Sequence, residues 1–463
     1  MTPKPSISHE LKRLWQLGAP MALAQLGAMM LNVVDTIMVG ELGVFEFDAA
    51  ALGNIWIFGT SIFAIGLLLG ADPILTQAHG ARRPREVAVA LQRSLVLSLV
   101  ASIPVALAWI YVEPVLLMAG QDAGHAGAAA EYLAVQVSTI PAYLAYHALR
   151  QYLQARGIVG PGMWVALVAN LFNIVANWAL IWGHLGFEPH RLEGAGIATA
   201  TTRGFLFLGL LAWVWAAGLH RDAWIPWSAA AFDPRGLGQI AMLGAPIAIQ
   251  YGLEGWAFQI SGLMAGLLGP EALAAHTAVL SLASLSFMLA LGISVGATTR
   301  IGNLIGAGRH ESAQRAAYVA LAMGSGAMAV AGLAFVAFRH ALPALYIDDP
   351  AVIALAAGIL PIAAAFQIMD GAQVVGGGVL RGMGRTRPAA VFNFIAYYLV
   401  ALPVGWLLGL QWGWGLAGLW TALALGLGLV ALALVVWIRH RGPRSLAGES
   451  RVVGHADGPP DAD

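Results

Sequence analysis

Apolar runs of about 20 residues, the length a helix needs to cross the hydrocarbon core of a bilayer, recur along the whole chain of 463 residues. They fall near residues 14–39, 50–78, 91–112, 129–152, 163–185, 194–218, 237–266, 272–299, 316–338, 351–380, 389–409 and 415–438. The predicted fold class is therefore all-α integral membrane with twelve transmembrane helices. A β-barrel does not fit, because the runs are continuously apolar instead of alternating with period two. The first run is too long, and too poorly matched to a small-residue cleavage site, to be a removable signal peptide, so it counts as structure. Only 10% of the residues are charged, against roughly 25% in an ordinary soluble domain, which rules out a soluble globular enzyme. The absence of cysteine removes disulfide frameworks, thiolate metal sites and cysteine nucleophiles.

The 24 basic and 24 acidic side chains cancel, so no basic domain for nucleic acid is hidden in the sum. Their positions are sorted all the same. Positive loops stay cytoplasmic, and placing the N-terminus inside puts 21 of the 24 basic residues on that face. The set includes Lys4, Lys12, Arg13, Arg82, Arg83, Arg85, Arg300, Arg309, Arg315, Arg381 and Arg451. Arg191 and Arg339 fall outside, and Arg203 lies within a span, close enough to its outer end to snorkel outward. Both termini are expected in the cytoplasm, at a bacterial inner (plasma) membrane.

The chain also repeats. Leu17-Gly18-Ala19-Pro20 returns as Leu243-Gly244-Ala245-Pro246, 226 residues later. The same offset carries Gly66, Gly70 and Ala71 onto Gly292, Gly296 and Ala297, and Gly80-Ala81 onto Gly306-Ala307. Several matches at one register mark a duplication. Six is even, so the halves enter the membrane from the same face and are parallel repeats about an axis along the membrane normal. The expected division is a six-helix lobe over 1–218, a cytoplasmic linker over 219–236, a second six-helix lobe over 237–438 and a disordered tail over 439–463. Two such pseudo-symmetric bundles facing each other suit alternating access. Pro20 and Pro246 predict matched bends, and Gly376-Gly377-Gly378 a loosened tenth helix.

A carboxylate at mid-span costs about 2.5–3.5 kcal/mol on insertion scales, so Asp35, Glu254 and Asp370 each need a reason. Polar residues stand near them at helical spacing: Asn32 before Asp35, Gln250 before Glu254, Gln367 and Gln373 on either side of Asp370. Asn170, Asn173 and Asn177 share a face of the fifth span, where they read either as interhelical glue or as site residues. The carboxylates favour function, since neutral residues pack at lower insertion cost. Such a group can exchange a proton, or, beside neutral oxygens, bind a hard cation such as sodium; Na+ at Glu254 and Asp370 is one of the two options. Asp72 near the cytoplasmic end of its span reads as structural, and His79, His147 and His276 as packing residues. Trp56, Phe258, Phe287 and Tyr397 are candidate lining aromatics.

At this point the residues resemble a known family. Asn32-Val33-Val34-Asp35-Thr36-Ile37-Met38-Val39-Gly40, Glu254, Thr299-Arg300-Ile301-Gly302-Asn303 with Gly306-Ala307-Gly308, and Gln367 to Leu380-Arg381-Gly382 look like the multidrug and toxic compound extrusion (MATE) family over roughly residues 10–440. The acidic pair in the C-lobe points to its NorM-like branch. The resemblance implies a cation-coupled (Na+ or H+) antiporter that exports organic cationic or amphipathic drugs. Glu254, Asp370 and Asp35 would couple the cation, with Asn32, Asn173, Asn177, Gln250, Gln367 and Gln373 as supporting or substrate-contacting polar groups. No cofactor other than the coupling ion, no enzymatic activity, no nucleic acid and a monomer in the lipid bilayer are expected. A lipid-linked oligosaccharide flippase is the alternative, although an anionic cargo would call for arginines in the cleft. A membrane enzyme would need a nucleophile–base pair or metal cluster, and no such spacing occurs inside the spans.

Overall fold

The computed structural model describes residues 6–448, so Lys4 and Arg451 lie outside the described residues. Twelve helical spans run through them: α1 (Ile7–Gly40), α2 (Val44–Gly80, interrupted at Leu69 and Gly70), α3 (Pro84–Ile110), α4 (Ala123–Val137 continued by Ile140–Ala155), α5 (Gly160–Trp182) and α6 (Arg191–Ala216) form the first half. The second half comprises α7 (Pro234–Leu267), α8 (Pro270–Gly306), α9 (His310–Ala337), α10 (Pro350–Met383), α11 (Arg387–Gln411) and α12 (Gly415–Arg441). Ten of these are long and apolar enough to cross a bilayer on their own. The other two are α4, whose halves of 15 and 16 residues are each short, and α7, which carries Gln250, Glu254, Gln259 and several glycines.

Helix starts follow ordinary capping chemistry. Asp233 accepts from the Arg235 and Gly236 amides at the start of α7, and Asp349 from Ala351 and Val352 at the start of α10, with Pro350 in the first turn. Pro20 and Pro246 sit inside unbroken helices. The glycine run does not loosen α10, which is continuous to Met383; a side chain at Gly378 would collide with Ser294 of α8, so the run permits close packing. Regularity fails in α11 instead, where Phe394–Ala401 and Leu407–Gln411 are wound as π-helix.

The lobes meet along two seams at the end of the molecule that carries both termini. α1 packs on α8 and α2 on α7, and the contacts obey the repeat. A Cβ at Gly292 would stand 2.5 Å from the Ala22 amide nitrogen, and one at Gly66 would collide with Ala248; each pair is the other shifted by 226 residues. Ion pairs lock this end: Arg300 grips Glu10 in bidentate fashion at 2.7 and 2.9 Å, with Glu10 1% exposed. Asp72 faces Arg381 across the seam at 3.9 Å, and Gln77 donates to the Gly382 carbonyl at 3.1 Å. The seam contacts extend to Ala22 on one side and to Phe58 against Gly255 on the other. Beyond them α1 turns to its own lobe, with Gly27 against Asn170.

The segment between α6 and α7 is fastened to the first lobe. Gln92 donates to the Ile225 and Pro226 carbonyls, Arg93 to Ala230 and Asp233, and Arg156 to Leu219, while Tyr152 donates to Ala223. The disordered tail expected from residue 439 is corrected for its described part. α12 continues to Arg441 and a 3-10 turn follows over Pro443–Leu446. Gln314 of α9 holds this stretch, donating to Ile438 and accepting from the Arg444 amide. Residues 449–463 lie outside the described residues.

Candidate functional site

In the first lobe Asp35 is half-buried on the outer half of α1. Asn177 of α5 donates to its Oδ1, and Thr199 of α6 to Oδ2 at 3.4 Å. Asn177 also donates to Asn173 at 2.9 Å, and Asn173 to Thr202 at 3.3 Å, both asparagines being fully buried. The fifth-span asparagines are thus a relay of amides that ends on the carboxylate. Asn170 serves differently: it donates to the Gly27 carbonyl at 2.6 Å and ties α5 to α1. Asn32 does not join the site, since its side chain is exposed and its carbonyl receives Thr36.

Arg203 departs from the expectation of snorkelling. It is 8% exposed, and its guanidinium carbon lies 5.2 Å from the Trp109 ring and 5.1 Å from the Tyr143 ring. Cation–π contacts of this kind are worth about 2 kcal/mol or more once desolvated. The helix face of α6 that carries Thr199 also carries Arg203, four residues on, and turns both into the lobe.

The second lobe collects Glu254 of α7 and Asp370 of α10. Gln373, one turn after Asp370, donates to Glu254 Oε2 at 3.2 Å and to Asn393 Oδ1 of α11 at 3.5 Å. Asp370 is 4% exposed. Gln367 donates to Ser286 of α8 at 2.6 Å. Gln250 is buried against Gly377, where the missing side chain admits its amide, and does not bond to Glu254. Three buried oxygens here have no protein partner: Gln367 Oε1, Gln373 Oε1 and Tyr397 Oη. Buried polar atoms are normally satisfied, so two carboxylates beside unpartnered neutral oxygens form a donor set suited to a hard monovalent cation or to hydrated protons. No group of three or more His, Cys, Asp or Glu side chains able to hold a metal ion occurs among the described residues.

Of the candidate aromatics, Tyr397 is wholly buried, in the first π-helical stretch of α11. It meets Phe258, which also stands edge-on to Phe366. Trp56 is fixed by its indole to the Ala108 carbonyl at 2.8 Å, and Phe287 packs on the small cluster of Ala290, Met328 and Val374. Sequence reasoning missed Thr199, Thr202, Ser286 and Asn393. Asn393 was findable by the rule that singled out the other intramembrane amides. The hydroxyls were not, because Ser and Thr bond to their own helix so often that position alone carries little signal. Asp72 is buried and paired with Arg381, which donates to Tyr251 at 2.6 Å, in keeping with a structural role. His147 packs between Tyr143 and Tyr146, and His276 against Trp420 beside Ser261.

Comparison with known proteins agrees with this layout. The MatE family model matches residues 20–179 and 246–407, two segments that begin 226 residues apart. The multidrug resistance protein NorM of Burkholderia vietnamiensis is 35% identical over 96% of this chain and 97% of its own. The multidrug resistance protein MdtK of Yersinia pestis is 33% identical over 93% and 95%. In fold, the chain is similar to the eukaryotic MATE transporter AtDTX14, with a TM-score of 0.87 at 24% identity over 96% of this chain and 99% of that one.

Proposed function

The chain belongs to the MatE family, and on that premise we propose that it is a cation-coupled antiporter that exports organic cationic or amphipathic molecules. The observation that carries this reading is the pair Glu254 and Asp370, bridged by Gln373 inside the second lobe with no basic side chain beside them. A cation drawn to these carboxylates neutralises them, and a cationic drug competes for the same negative field. Asp35, with Asn177 and Asn173, offers a second acidic locus in the first lobe. With both termini in the cytoplasm, the sealed seams close the cytoplasmic side and leave the lobes parted toward the outside, the state in which a coupling cation enters and a drug leaves.

The energetics suffice. One monovalent cation moving inward supplies about 2.3 kcal/mol per 100 mV of membrane potential, enough for about a fifty-fold drug gradient when fully coupled. The test is ethidium or fluoroquinolone efflux from proteoliposomes with sodium and proton gradients imposed separately, which also names the ion. Glu254→Gln and Asp370→Asn should each abolish coupled efflux while the protein remains folded in the membrane. Wild-type efflux in both variants would sink the assignment.

A further inference from the structure

The first lobe holds a buried cation that the antiport reading leaves unused. Arg203 lies between Trp109 and Tyr143, and its Nη1 has no hydrogen-bond partner. Trp109 is itself pinned, its indole donating to Thr60 at 2.8 Å. A guanidinium does not give up its proton in a protein, and an isolated buried charge is costly without a counter-charge. The carboxylate that Arg203 senses is Asp35, with Tyr132 and Tyr143 as its other polar neighbours. Thr199, one turn before Arg203 on the same face of α6, donates to that carboxylate at 3.4 Å. The second lobe is built differently. The only charged neighbour of Asp370 is Glu254, another acid, and the arginine of α10, Arg381, is engaged by Asp72 and Tyr251.

We propose that Arg203 is the resident counter-charge of Asp35, so that the first lobe stays electrically neutral through the cycle and the transported coupling cation is taken by Glu254 and Asp370. Arg203 is a positioning residue here: it touches neither drug nor ion and acts through Asp35. Loss of Arg203 would leave Asp35 in need of a cation of its own, and loss of Asp35 would strand Arg203. The inference rests on the antiport reading.

The test is charge stoichiometry. Purified full-length protein in proteoliposomes is given an ethidium gradient and an imposed membrane potential with no sodium or pH gradient. The voltage at which ethidium flux reverses gives the charge moved per ethidium. Arg203→Gln should move one elementary charge more than wild type, Arg203→Lys should match wild type, and Asp35→Asn combined with Arg203→Gln should return to the wild-type value. An unchanged charge in Arg203→Gln, or a double variant that keeps the single variant's value, overturns the proposal. Where Arg203→Gln is not recovered folded, Asp35→Asn decides by its yield of monodisperse protein. A reduced yield restored in the double variant supports the pairing, and a wild-type yield or no restoration overturns it. A wild-type protein whose export of ethidium needs no cation would remove the antiport reading, and the yield comparison would still decide the charge pair.

Discussion

Breaking the Glu10–Arg300 pair should unseal the end of the molecule that carries both termini. Glu10 is 1% exposed and Arg300 holds both its oxygens, so Glu10→Gln leaves a guanidinium without its counter-charge. Removing one partner of a fully buried pair costs about 3–5 kcal/mol. The Arg300 side chain retains 21% exposure, and some rehydration lowers the expected loss to about 2–3 kcal/mol. The pair exists only while the lobes are together, so the loss falls on the sealed state alone and shifts its equilibrium with the unsealed one by about 30–150-fold. The chain has no cysteine, which makes paired spin labels simple to place: Arg85→Cys in the first turn of α3 and Arg315→Cys in α9 are both exposed at this end. Double electron–electron resonance should show Glu10→Gln populating a longer distance. Glu10→Gln with Arg300→Gln should largely restore the short one, since no stranded charge remains. Wild-type distances in Glu10→Gln, or a double variant no closer to wild type than the single, would refute the reasoning.

Three further outcomes are expected. Gly66→Val and Gly292→Val should each part the seams, at a cost of about 1–3 kcal/mol for overpacking, and the same label pair should report nearly equal shifts because the two contacts are equivalent; a shift in only one variant would contradict the symmetry. Asn177→Ala should weaken drug export by about ten-fold or more, since a hydrogen bond to a charged group is worth about 1.5–3 kcal/mol, and export kinetics against Asn170→Ala separate the relay to Asp35 from the helix tie to Gly27. Asp233 outside the membrane has its carboxyl held below the usual range by the Arg235 and Gly236 amides. Its folded value is depressed, so the cap is intact above the ordinary carboxyl range and is lost as pH falls through the lowered one. Hydrogen exchange at the first amides of α7, corrected for intrinsic rate, should rise there and not in Asp233→Asn, whose exchange should be independent of pH.

The repeat was legible because duplication writes itself into small residues at a fixed offset, and those residues are the ones the seams need. Gly66 with Ala248 and Gly292 with Ala22 could be aligned before any contact was known. Asp35, Glu254 and Asp370 were legible for the complementary reason, that a charge in an apolar run is expensive. Their partners were less so. Helical spacing nominated Asn32 and Gln250, yet the groups that bond the carboxylates are Asn177, 142 residues away, and Gln373, 119 residues away. A neighbour at three or four residues shares a face only loosely, and a partner on another helix leaves no local trace. Arg203 was misjudged because depth along a span does not reveal which way a side chain faces. In α11 the π-helical turns shift the register of faces, so a 3.6-residue period misplaces Tyr397.

The reciprocal seams have the form of an isologous interface, in which a patch on one half meets a second patch on the other and the second meets the first. That is how two copies of one six-helix protein would bind as a symmetric dimer, and the linker is bonded to the first lobe alone. Joining the halves in one polypeptide therefore adds little to the fit between them. What it fixes is their pairing one to one, which leaves each half free to diverge: an arginine beside the acid of the first, a second carboxylate in the other.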